Sequence, residues 1–170
     1  MAAGLTYTPI ATQTLGSAQA TVTFSSIPST YTDLILVTSA RVTGNVNSDD
    51  ILVTLNSDTG SNYSALYVTG TGTSALSGKN TSTSKGYWIY VVGANIAAST
   101  FTSDIMNLKS YSNTTTYKSM VSRSANSSGG TAVRSALWRS TSAINSIALN
   151  CPNSNIAAGS TFTLYGILAA

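Results

Sequence analysis

The sequence predicts an all-β chain folded as a single antiparallel β-sandwich of jelly-roll-like form. Three observations carry this. Apolar and hydroxyl side chains alternate along many short stretches, the period of a strand with one buried face. β-branched and aromatic residues fill those stretches, while Gly, Asn, Asp and Ser separate them about every 8–14 residues. No segment sustains a 3.6-residue apolar period, and neither a domain boundary nor an internal repeat is visible.

Taken in order, Tyr7 to Leu15 reads as a first strand, which Pro9 confines to a sheet edge. Gln19 to Ser25 follows, with Ala20, Val22 and Phe24 inward and Thr21, Thr23 and Ser25 outward. Thr32 to Arg41 carries apolar bulk on both faces (Leu34 and Leu36 against Ile35 and Val37), which predicts a central strand. Thr43 to Asp50 reads as a polar loop. Ile51, Val53 and Leu55 give the next buried face, and Tyr63, Ala65 and Tyr67 the one after.

Gly70 to Ser84 has three glycines, a Ser/Thr run and almost no bulk. It fits a surface loop better than a flat polar strand against a neighbour. Lys85 to Val92 is an aromatic strand, and a helix of one or two turns fits near Ala94 to Thr100. Strands then follow at Phe101 to Leu108, Tyr117 to Arg123, Thr131 to Trp138 and Ile144 to Leu149. In the last strand, from Gly159 to Ile167, Phe162 and Leu164 occupy one face and Tyr165 and Ile167 the other. A strand with bulk on both faces is expected to pair on both sides. The total is ten or eleven strands.

A chain of 170 residues suits one domain with a substantial core. Charged residues make up only 8% of it, against a typical ~25%. Ser and Thr fill the gap, with 28 and 26 residues. Such a low-charge, hydroxyl-rich surface suits a protein packed into an assembly or an extracellular shell. The first 85 residues hold three cations against four carboxylates, and the remaining 85 hold five against one. With a pI near 9.1 this is a mild bias and not the clustered basic face of a nucleic-acid binder. Cys151 is the single cysteine, which excludes an intrachain disulfide and fits synthesis in a reducing cytoplasm. The opening Met-Ala-Ala-Gly-Leu lacks a basic and an apolar region, so no secretory signal is expected. The longest apolar stretch, Tyr87 to Ala98, falls far short of the ~20 residues of a membrane span.

The absence of His removes the commonest general base and any Ser-His-Asp constellation, and no Glu is present either. Catalytic residues, a metal site and a cofactor are therefore not expected. The bland role of Asp49 and Asp50 is to form turns and solubilise a loop. The alternatives are a Ca²⁺ site built from Asp49, Asp50, Asp58 and loop carbonyls, or a carboxylate pair for glycosidase chemistry. One Cys and no His cannot supply the usual zinc ligands. Binding is what remains. Arg134, Trp138 and Arg139 lie close together in Val133-Arg-Ser-Ala-Leu-Trp-Arg139, and Trp and Arg are common interface anchors. The alternative is a Trp138 that caps the core beside solvated arginines. Tyr87, Trp88 and Tyr90 offer a platform for stacking a sugar, or ordinary core packing.

Three blocks carry a family resemblance: Ile27-Pro-Ser-Thr-Tyr-Thr-Asp-Leu-Ile-Leu36, Leu137-Trp-Arg-Ser-Thr-Ser-Ala-Ile-Asn-Ser-Ile147 and Ala158-Gly-Ser-Thr-Phe-Thr-Leu-Tyr-Gly-Ile167. Asn62-Tyr-Ser and Tyr111-Ser-Asn-Thr-Thr-Thr-Tyr-Lys118 fit the same pattern. The chain resembles small β-sandwich virion proteins of tailed bacteriophages, from Leu5 onward. The resemblance contains no catalytic motif. It implies a virion structural protein, expected foremost as a capsid decoration or cement protein that bridges major capsid proteins. The implied form is a homo-oligomer, commonly a homotrimer, on the capsid exterior. The alternative it implies is a tail-fibre or spike component that binds host-surface glycan. Neither membrane nor direct nucleic-acid binding is expected.

Overall fold

The computed structural model describes residues 6–86, 88–126 and 130–168. Twelve strands and no helix lie among them: β1 (Tyr7–Thr14), β2 (Thr21–Phe24), β3 (Asp33–Ala40), β4 (Ser48–Leu55), β5 (Tyr63–Gly70), β6 (Ala75–Thr83), β7 (Trp88–Val92), β8 (Thr102–Leu108), β9 (Lys118–Asn126), β10 (Gly130–Trp138), β11 (Ile147–Asn150) and β12 (Thr161–Ile167). They form an eight-stranded sheet, β1-β12-β3-β8-β9-β10-β5-β6, and a four-stranded sheet, β2-β11-β4-β7. All strand pairings are antiparallel.

The chain crosses between the sheets from β1 to β2, β2 to β3, β3 to β4 and β4 to β5. It crosses again from β6 to β7, β7 to β8, β10 to β11 and β11 to β12. Repeated crossing leaves sequence neighbours in different layers of a β-sandwich, so that both sheets close on one core. The β9–β10 hairpin and the flanking β1 and β12 widen the larger sheet.

Alternation sets the core. Leu34 and Leu36 on β3, Met106 and Leu108 on β8, and Phe162 and Leu164 on β12 face inward from the large sheet. Ile51, Val53 and Leu55 meet them from β4, with Ile89 and Val91 from β7. The expected centrality of the last strand holds, since β12 pairs with both β1 and β3. Pro9 lies on edge strand β1, beside a register shift between Pro9 and Ala11.

Four expectations need correction. Ala20 is exposed, because β2 begins one residue later. Asp49 and Asp50 stand on a strand, because β4 starts at Ser48. The stretch from Gly70 to Ser84 is mostly edge strand β6 and not a loop. An edge strand pairs on one side only, and the backbone ladder holds it without apolar bulk. Gly78 on β6 also makes room for a neighbour: a Cβ there would lie 2.5 Å from the Tyr67 hydroxyl oxygen. Residues 94–100 form turns, because Arg41 gathers their carbonyls. Its guanidinium donates to Gly93, Ile96, Ala97, Ala98 and Thr100 oxygens. No helix among the described residues is long and apolar enough to cross a membrane.

Gly166 on β12 gives a direct test of the packing. A Cβ there would lie 2.3 Å from Tyr31 Cγ, because the Tyr31 ring lies flat on the strand. Gly166→Ala is expected to cost about 1–3 kcal/mol in urea unfolding, as the ring is pushed off its seat. An unchanged midpoint would show that the ring does not rest there.

Candidate functional site

Two cross-strand pairs, one from each sheet, converge on one guanidinium. On the large sheet Arg134 of β10 pairs with Tyr67 of β5. On the small sheet Asp50 of β4 pairs with Tyr90 of β7. Arg134 takes the inward parity of β10, between the small buried Ala132 and Ala136. Its Cζ lies 5.9 Å from the Tyr67 ring centroid and 5.4 Å from that of Tyr90. Its Nη1 donates to Asp50 Oδ1 at 3.1 Å.

Arg134 is only 6% exposed. Removing such a charge from water is costly unless it is paired, and here the carboxylate and two ring faces do so. Burial pushes the Asp50 carboxyl up; the Arg134 charge and hydrogen bond oppose this, and Asp49 adds to it. The Asp50 side chain keeps 40% exposure. Together with Thr69, Asn80 and neighbouring hydroxyls, these groups line a cleft of about 450 Å³ that opens to solvent.

Behind the guanidinium the inner face stays polar. Ser122 pairs with Arg134 across β9 and donates to Asp104 Oδ2 at 3.0 Å. Asp104 is 1% exposed, in one cross-strand row with Thr38 and Ser124. Thr38 Oγ1, Asp104 Oδ1 and Ser124 Oγ are buried without a hydrogen-bond partner among the described residues. Burial pushes the Asp104 carboxyl up to about 7, against the opposing effects of the Ser122 hydrogen bond and the Arg134 charge. A neutral carboxyl lessens the cost of so dry a site.

The sequence candidates divide. Arg134 and Tyr90, expected in separate roles, share this cleft. Trp138 is a correction: at 2% exposure its ring stacks on Tyr63 within the core, and its Nε1 donates to Asp58 Oδ2 at 2.6 Å. Its inward parity with Ala136 leaves no ring face for a partner. The indole hydrogen bond holds the Asp58 carboxyl below its ordinary range. Arg139 donates to Ser64 Oγ on β5 and to Ser61 O in the β4–β5 connection. Tyr87 and the Trp88 side chain lie outside the described residues.

The three aspartates weighed for Ca²⁺ have different partners. Asp49 accepts from Asn153 and Ser154, Asp50 from Arg134, and Asp58 from Trp138 and Asn62. No group of three or more His, Cys, Asp or Glu that could hold a metal gathers among the described residues. As consecutive residues of β4, Asp49 and Asp50 point to opposite faces of the strand.

A second surface lies on the outer face of the large sheet. Leu66 and Val68 on β5, Val133 and Leu137 on β10, and Val121 on β9 are 58%, 58%, 53%, 36% and 50% exposed. They are neighbours in register: Val121 and Leu66 flank Ser135, and Val68 meets Val133. Lys79 pairs with Leu66, and Arg123 with Val133. Strands β5, β6, β9 and β10 contain no carboxylate. Shallow apolar grooves run across this face.

No family model matches the chain, and no curated protein matches it significantly.

Asp104 yields a pH prediction. The folded protein holds a proton that the unfolded chain releases above its ordinary carboxyl value of 3.8. The folded state thus binds more protons from about pH 4 to about pH 7, so stability falls as pH rises there, by at most about 1.4 kcal/mol per unit. Above that window the contribution is flat. Urea midpoints are expected to be lower at about pH 8 than at about pH 5, and Asp104→Asn is expected to flatten this difference. A wild-type slope retained in the variant would contradict the assignment.

Proposed function

We propose that this chain is a virion structural protein that coats a bacteriophage head by pressing the outer face of its large sheet against a capsid protein. The observation that carries it is the exposed apolar face of β9, β10 and β5. Contiguous apolar surface rimmed by polar residues is what protein–protein contacts use. The phage resemblance supplies the setting, and the low charge supports it, since few ions must be desolvated on docking.

Charge argues for an unlike partner at this face. Lys79 on the neighbouring β6 and Arg123 on β9 border it, and strands β5, β6, β9 and β10 hold no carboxylate. A self-complementary contact would gather the same cations on both sides, whereas an apolar surface bearing acidic groups would balance them. The homotrimer implied by the resemblance then forms through other surfaces, and light scattering measures it.

The test uses purified protein added to heads that lack it. Wild-type protein is expected to bind at a copy number close to that of the major capsid protein. Val68→Glu and Val133→Glu each bury a carboxylate in the contact and are expected to weaken binding about a hundredfold or more, while the fold is retained because both side chains point to solvent. A handful of copies per particle would place the protein on the tail. Variants that bind like wild type would remove the outer face from the contact.

A further inference from the structure

We propose that the cleft between the β5–β6 hairpin and β4–β7, with Tyr67, Tyr90, Asp50 and Asn80 around Arg134, binds a neutral saccharide. This goes beyond the assembly role and uses the opposite side of the same strand. Tyr67 points into the cleft, while Leu66 and Val68 on either side of it point outward.

The volume is the first argument. About 450 Å³ falls within the range of small-molecule sites, ~300–1,000 Å³, and the cleft is open for entry. The lining is the second. A pyranose presents C–H faces that suit the electron-rich faces of aromatic rings, and hydroxyls that need both donors and acceptors. The two tyrosines are half-buried, so part of each ring remains reachable. Asp50, at 40% exposure, offers an accepting carboxylate, and Asn80 on β6 offers both a donor and an acceptor. Thr69, Thr71 and Ser77 add hydroxyls.

Electrostatics select against an acidic ligand. The Arg134 charge is already met by Asp50 at 3.1 Å, and its field also reaches Asp104. A carboxylate or phosphate entering the cleft would meet the Asp50 charge and compete with it for the guanidinium. The bound guanidinium instead fixes Asp50 and both rings before a ligand arrives, which lowers the ordering cost of binding. An apolar ligand is disfavoured by the hydroxyl and amide groups that it would leave without partners.

Saturation-transfer NMR on the full chain tests this. The probes are the methyl glycosides of glucose, galactose, mannose and N-acetylglucosamine, each presented alone, with N-acetylneuraminic acid as the acidic comparator. At least one neutral glycoside is expected to receive transfer at its ring protons, and the acidic sugar less. Asn80→Ala, on the edge strand, is expected to weaken that binding about fivefold, and Tyr90→Leu about tenfold. Thermal melts establish that each variant is folded. If Tyr90→Leu does not fold, Asn80→Ala and ligand-induced shifts of the Tyr67 and Asn80 amides decide. Transfer to none of the neutral glycosides overturns the proposal. So does binding that both variants leave unchanged, or tighter binding of the acidic sugar. Val68→Glu is expected to retain sugar binding, so failure of the assembly role and failure of this site are read separately.

Discussion

The structure depends on a guanidinium buried at the seam between its two sheets. Arg134 leaves water with one carboxylate, two aromatic faces and a serine-lined floor around it. A buried cation that lost one of these partners would destabilise the fold far more than a surface ion pair could stabilise it. Asp50 and Arg134 are separated by 84 positions, and Asp50 belongs to the small sheet while Arg134 belongs to the large one. Their contact fixes how the layers stand against each other at the polar end of the sandwich. The apolar end needs no such device, because Leu34, Leu36, Phe162 and Leu164 fill it.

The same logic accounts for the surface. Arg41, Lys118, Arg134 and Asp104 are all buried, in a chain with only eight cations and five acids. Arg41 holds a turn through its carbonyls, and Lys118 donates to Thr116 and Thr141 oxygens. Charges used inside the molecule are missing from the outside. Hydroxyls cover much of what remains, and on β5, β9 and β10 valine and leucine reach solvent. Such a surface has little electrostatic cost to overcome on contact with a neighbour.

Much of this was legible in the sequence, and the failures have physical causes. Leu34 to Val37 announced a central strand, because bulk on both faces has no other use. Pro9 announced an edge, because it cannot donate to a ladder. Strand β6 was legible only as the second choice to a loop, because an edge strand with one partner leaves little apolar signature. Asp49 and Asp50 looked like turn formers, since a strand end that carries charges has the composition of a loop. Trp138 was ambiguous by type, yet its parity with Ala132 and Ala136 already pointed inward. That parity applied equally to Arg134, and an inward arginine demands a carboxylate. What the sequence could not supply was which aspartate answers, because register between sheets decides it. Asp104 and Tyr67 gave no functional signal at all. Each is one inward residue on an ordinary alternating strand.

The outer face of β5, β9 and β10 as the adhesive surface is the claim with most at stake. Hydroxyl-radical footprinting, comparing isolated protein with protein on intact particles, measures it directly. Strong labelling of Leu66, Val68, Val121 and Val133 in isolation, and protection of the same side chains on the particle, is the predicted result. Equal labelling in both states, with protection confined to other strands, would contradict it.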